Sequence, residues 1–111
     1  MAKKQTAGRD RLGDFAPQFA ALNDDVLFGQ VWAKEDELSA RDRSLITCAA
    51  LMAQGLFPQL KSHMAIAKEN GVTKTEMVAL ITHLSFYAGW PKAWSAFPLA
   101  EEIYGKSDTE D

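Results

Sequence analysis

Apolar residues recur along this chain at three- and four-residue intervals, and glycines and prolines cut the pattern into pieces of helical length. Phe15, Phe19 and Leu22 outline a short amphipathic helix. Asn23 or Asp24 is placed to cap a second, with Val26, Leu27, Val31 and Trp32 on its buried side and Gly29 weakening it. A third helix opens after Ser39, which offers a cap oxygen to a first turn holding Asp42. Residues 45–53 are then apolar except for Thr47, and Gly55 can supply the left-handed residue that stops the helix.

That third helix has almost no polar face to turn to water. Either a second subunit covers it or the rest of the chain wraps around it, and the small number of other elements favours an oligomer. Pro58 fits the first turn of a fourth helix that runs to about Asn70 and closes at Gly71, with Leu60, His63, Met64 and Ala67 on one face. Thr73 and Glu76 form a capping box for a fifth helix, in which Val78, Ile81, Leu84 and Tyr87 follow at helical spacing up to Gly89. Pro91 opens a sixth helix through Ala93, Trp94, Phe97 and Ile103 to Gly105, which Pro98 should kink or divide. No stretch alternates apolar and polar in the manner of a strand. The expected fold is all-α, a bundle of about six helices whose short connections favour antiparallel neighbours.

The organisation expected from these signals is an N-terminal arm over residues 1–13, one helical domain over 14–105 and an acidic tail over 106–111. The length of 111 residues suits one domain, and 47 % hydrophobic with 24 % charged residues is ordinary globular composition. A net charge of −3 offers no basic field for nucleic acid or anionic lipid. No run is long enough to span a bilayer, and residues 1–14 lack the apolar core of a secretory signal, so a cytoplasmic location is expected. The single cysteine, Cys48, cannot form an intramolecular disulfide.

Certain residues, taken in order, carry a family likeness. The run LSARDRSLIT over residues 38–47, followed by Ala49, Ala50, Leu51 and Gly55, resembles the central helix of carboxymuconolactone decarboxylases. Leu60, His63, Ala67, the run NGVT over 70–73, Glu76 and the run YAGWPKA over 87–93 continue the match, which covers about residues 38–104. The resemblance implies an alkyl hydroperoxidase D-like helical subunit that assembles through its central helices into trimers or hexamers. It also implies cofactor-free decarboxylation of a small carboxylated lactone. Some relatives instead reduce peroxides with a Cys-x-x-Cys-x-x-x-His motif. Counted back from His63, the two cysteine places here hold Leu56 and Gln59, so that thiol chemistry has no residues to run on.

His63 is the candidate catalytic residue. It matches the histidine the family retains, and imidazole transfers protons near neutral pH. The alternative is a core histidine satisfied by a neighbour. Arg41 and Arg43 are candidates for binding substrate carboxylates through paired hydrogen bonds, the alternative being solvated charge on a first turn. His83, Tyr87 and Trp90 are candidates for lining the substrate pocket, and aromatic residues there serve equally as core or interface filler. Two histidines make a weak metal site, and no ligand spacing supports one. Cys48, inside an apolar helix, reads as a small buried hydrophobe. The leading expectation is a homo-oligomeric decarboxylase-type enzyme acting on a small carboxylate. The alternatives are a family member carrying only a peroxiredoxin-type label by inheritance, and a non-catalytic small-molecule-binding oligomer.

Overall fold

A computed structural model describes residues 4–105. The acidic tail expected over 106–111 lies outside the described residues. Among those described there is no strand, and the elements are α1 (Ala7–Leu12), α2 (Pro17–Ala21), a π-helical segment (Leu22–Val31), α3 (Ala40–Gln54), α4 (Phe57–Glu69), α5 (Lys74–Leu84) and α6 (Trp90–Tyr104). The chain divides into two compact units, residues 1–40 and 41–111.

The first unit is organised around a carboxylate rather than an apolar core. Within the stretch expected to be an arm, Ala7–Leu12 forms a helix. Its first-turn N–H groups lack partners within the helix. Asp24, buried and 15–16 residues away, supplies them: Oδ1 accepts from Gly8 N–H at 2.9 Å and Oδ2 from Arg9 N–H at 3.0 Å. Asn23 Nδ2 donates to the same carboxylate at 3.0 Å, and Arg9 forms a two-pronged contact with Asp25 at 2.9 and 2.7 Å. Burial works to raise the carboxyl pKa of Asp24. The hydrogen bonds from Asn23, Arg9 N–H and Gly8 N–H, with the Arg9 charge, outweigh it and hold the group below the usual carboxylate range.

Two expectations for this unit are corrected. Asp24 does not cap a helix beginning beside it; α2 runs on into residues 22–31, where Trp32 N–H reaches back five residues to Leu27 C=O at 2.9 Å. Val26, Leu27 and Val31, expected to be buried, are exposed, as are Phe19, Leu22 and Phe15, the last at 89 %. The reason is that the side of the helix turned to α1 presents Ala20 and Asp24. Gly8 lies against that side so closely that a Cβ there would sit 2.7 Å from both Ala20 C=O and Asp24 Oδ1. Gly8→Ala is therefore expected to cost about 1–3 kcal/mol through overpacking. Hydrogen exchange checks this: the Arg9 amide should lose its protection, and unchanged exchange would count against the Asp24 anchor.

In the second unit, α3 seals Ser44, Cys48 and Met52, spaced four apart, and leaves Ile46, Ala50 and Ala53 exposed. Its apolar pattern thus resolves into a covered face and an open one. Gly55, at φ +74°, ends it, with Leu56 N–H reaching Leu51 C=O at 2.9 Å and Gly55 N–H reaching Met52 C=O at 3.0 Å. Pro58 sits in the first turn of α4, which buries Leu60, Met64 and Ala67 and ends at Gly71, φ +96°. The Thr73–Glu76 capping box is present in full: Glu76 N–H donates to Thr73 Oγ1 at 3.1 Å and Thr73 N–H to Glu76 Oε1 at 3.0 Å.

The last helix, α6, is the shared partner of α4 and α5. It turns Ala93, Ala96, Ala100 and Tyr104 inward, and the small side chains let the backbones approach. The Tyr104 hydroxyl donates to Val72 C=O at 2.8 Å, fastening the end of α6 to the α4–α5 turn. Of the two outcomes expected at Pro98, a kink or a division, division does not occur: Trp90–Tyr104 is one element. Proline removes the bond to the carbonyl four residues back, here Trp94. Pro98 and Trp94 both face solvent, so the missing bond falls on the wet side, where water can take the carbonyl. Among the described residues no helix is long and apolar enough to cross a membrane.

Candidate functional site

The position of His63 follows from how α4 is held. Leu60, Met64 and Ala67 anchor one face in the core, and the intervening residue 63 falls at its edge, half-buried. Its Nδ1 is buried and meets no hydrogen-bonding group there, although the residue as a whole is not isolated. Burial holds its pKa below the ordinary imidazole range, because the interior disfavours the cation. At neutral pH the ring is mostly neutral and able to accept a proton, and its imidazolium, once formed, is a stronger acid than in water.

Arg41 lies in the first turn of α3 and is already engaged. Its guanidinium pairs with Glu76 Oε2, and Asp42 Oδ1 stands 3.6 Å away. Glu76 therefore has two roles, capping α5 with one oxygen and binding the start of α3 with the other. The capping box was visible in the sequence. The second role was not, because Arg41 is 35 residues away and nothing local pairs them. The same holds for Asn70 Nδ2, which donates to the buried Ser44 Oγ at 3.0 Å and ties the end of α4 to α3. Lys92 Nζ likewise donates to Ala53 C=O at 2.8 Å, supplying a cation to the C-terminal end of α3. Arg43 is half-buried in the first turn of α3 and also has an interaction.

His83, Tyr87 and Trp90 lie together around the α5–α6 turn, on its solvent side. His83 and Tyr87 place their ring centroids 4.9 Å apart, and Trp90 meets Phe86 edge-on at 5.9 Å. A concavity of about 230 Å³ between α5 and α6 is lined by Lys74, Val78, Phe97, Ala100, Glu101, Tyr104 and Gly105, and by none of the residues expected from sequence. No group of three or more histidine, cysteine or acidic residues among those described is arranged to hold a metal ion.

Cys48 is fully buried, and burial pushes its thiol up to about 12. A thiol so buried holds its proton at neutral pH and presents little thiolate, the form that attacks or is oxidised. Tyr104 is also pushed to about 12, by burial first and by the neighbouring Cys48 second. Both groups keep their protons in the folded chain over a range where the unfolded chain releases them, so stability falls as pH rises. Unfolding free energy is expected to decline from about pH 9 towards pH 12, and Cys48→Ala should move the alkaline unfolding midpoint upward. Alkaline denaturation followed by circular dichroism measures it, and an unshifted midpoint would contradict the buried-thiol account.

A helix that opens on two arginines, followed by a helix carrying a histidine at the edge of its buried face and no Cys-x-x-Cys ahead of it, defines the class as a small all-α bundle without a thiol pair. The comparisons agree. The sequence pattern of the Carboxymuconolactone decarboxylase family matches residues 17–102, and the chain belongs to that family. It is 38 % identical over 95 residues to a 4-carboxymuconolactone decarboxylase of Acinetobacter baylyi, covering 86 % of this chain and 70 % of that protein. It is 32 % identical over 88 residues to an uncharacterized 15.0 kDa protein in the nqo9-nqo10 intergenic region of Paracoccus denitrificans, covering 78 % of this chain and 65 % of that one.

Proposed function

We propose that the protein is a cytoplasmic carboxy-lyase that removes carbon dioxide from a small carboxylated lactone or related organic acid without a cofactor. The likeness to a 4-carboxymuconolactone decarboxylase over 86 % of the chain carries this reading. Fold membership alone does not fix activity, so the argument turns on what the residues can do. Heterolysis of the bond to the carboxylate leaves an electron pair on carbon, delocalised into the neighbouring carbonyl. That carbon then takes a proton. His63 is the donor in this scheme: its imidazolium protonates the carbon and is reloaded from water. The depressed pKa suits the step, since a more acidic imidazolium delivers its proton more readily, at the expense of its population at pH 7.

Arg43 is the better candidate for holding a substrate carboxylate, because a substrate reaching Arg41 would have to compete with Glu76. His83, Tyr87 and Trp90 would contact substrate only in an assembly that covers their exposed face. The open face of α3, with Ile46, Ala50 and Ala53, supports a homo-oligomer, trimeric or hexameric by resemblance. The test is release of carbon dioxide from 4-carboxymuconolactone and related lactone acids by the wild-type chain and by His63→Ala. Absence of turnover by the wild type on every carboxylated lactone would remove the reading.

A further inference from the structure

We propose that the concavity between α5 and α6 is a binding site for a small zwitterion with an apolar body, a free α-amino acid of the phenylalanine or leucine type. It shares no residue with the site around His63 and does not depend on the decarboxylase reading. Its polarity follows from the way the two helices run. The Tyr104 hydroxyl, bound to Val72 C=O, brings the end of α6 to the start of α5. Among the lining residues, Lys74 and Val78 stand about one turn apart on α5, and Phe97 and Glu101 about one turn apart on α6. Lys74 and Glu101 therefore mark one end of the groove, and Val78 and Phe97 the other. Ala100 and Tyr104 form the floor, both buried. The walls are set in advance of any ligand: Phe97 packs against the core, and the Tyr104 ring is held through its hydroxyl.

Charge complementarity selects the occupant. A simple carboxylate drawn to Lys74 would also meet Glu101, and a simple amine drawn to Glu101 would also meet Lys74. A molecule with both charges on one carbon answers both: its carboxylate accepts from the Lys74 ammonium, and its own ammonium donates to the Glu101 carboxylate. Lys74 also has an interaction within the chain. An ammonium carries three donors, so it serves a ligand while keeping that contact. The side chain of the ligand then lies along Val78 and Phe97, where its apolar surface leaves water. A volume of about 230 Å³ lies below the roughly 300–1,000 Å³ of sites for drug-sized molecules, which suits one small metabolite and excludes a lipid chain or a polymer. Val78 and Glu101 are exposed, so the groove is open to solvent.

The experiment titrates the full-length ¹⁵N-labelled chain with three probes, L-phenylalanine, 3-phenylpropionate and phenethylamine, and follows the amide shifts. L-phenylalanine is expected to bind with a Kd on the order of 1 mM, ordinary for a ligand of about a dozen non-hydrogen atoms. The shifts should centre on residues 74, 78, 101 and 105. Each probe lacking one charge should bind about 10-fold more weakly, the effect of losing one charge-assisted hydrogen bond. Glu101→Gln should weaken L-phenylalanine by about the same factor and reduce the discrimination against 3-phenylpropionate. Lys74→Gln should do the same for phenethylamine. Val78→Trp, which fills the apolar end from an exposed position, should abolish the shifts with all three. All three variants should keep the wild-type Tm, and His63→Ala should bind L-phenylalanine like wild type. No saturable shift up to about 10 mM, equal affinity for the three probes, or unchanged selectivity in both charge variants overturns the proposal.

Discussion

His63→Ala is expected to lower kcat for decarboxylation by about 10²–10⁴, the range over which a positioned proton donor contributes, while leaving the helices intact. The side chain lies at the edge of the α4 core face rather than in its centre, so its removal opens no sealed cavity. The pH profile separates a proton-transfer role from a packing role. With the imidazole pKa depressed by burial, the limb of the rate profile assigned to His63 should fall below the ordinary imidazole range. That limb should vanish in His63→Ala and not merely scale with it. Stability moves with the opposite sign to activity in the same group. A depressed imidazole contributes stability above its unfolded pKa and loses it as pH falls, because the unfolded chain then binds a proton the folded chain resists. His63→Ala should therefore flatten the acid side of the stability curve. A variant with full kcat and an unaltered pH profile would assign the residue to packing alone.

Leu60→Ala should do the reverse, costing stability and sparing chemistry. Leu60 is 1 % exposed and belongs to the cluster with Cys48, Met52, Met64, Met77, Ile81 and Tyr104. Truncating such a residue removes buried methyl groups and leaves a cavity, at about 2–5 kcal/mol. Against a total stability of roughly 5–15 kcal/mol, that is a large share. Tm is expected to fall by roughly 10–25 °C in a thermal scan. Because Leu60 and His63 share a helix but not a role, kcat per folded molecule at 25 °C should stay within a few-fold of wild type. A Tm loss of under about 3 °C would mean that the α4 face is not the core the structure makes it.

Local rules accounted for much of the helical framework. The capping box at Thr73 and Glu76, the stops at Gly55 and Gly71, and the prolines opening α4 and α6 all act within a few residues, and all stand where the sequence placed them. The family likeness was legible for the same reason, as an ordered set of short motifs, and the absence of the thiol pair could be read directly at Leu56 and Gln59. Burial of Cys48 was legible too, since an apolar helix interior leaves a cysteine little else to do.

What the sequence alone determined was therefore helix content, most helix boundaries and family membership, because those depend on hydrogen bonds and side-chain periods spanning a handful of residues. What only the tertiary structure decided was pairing across long separations. Asp24 capping a helix 16 residues earlier, Glu76 holding Arg41 across 35, and Tyr104 closing on Val72 across 32 are choices among many polar partners. Periodicity marks a face as apolar but cannot say which neighbour covers it. That is why Val26, Leu27 and Val31, drawn as buried, proved exposed, and why Tyr87 and Trp90, which the sequence left between pocket lining and core or interface filler, could be placed on the surface only in three dimensions.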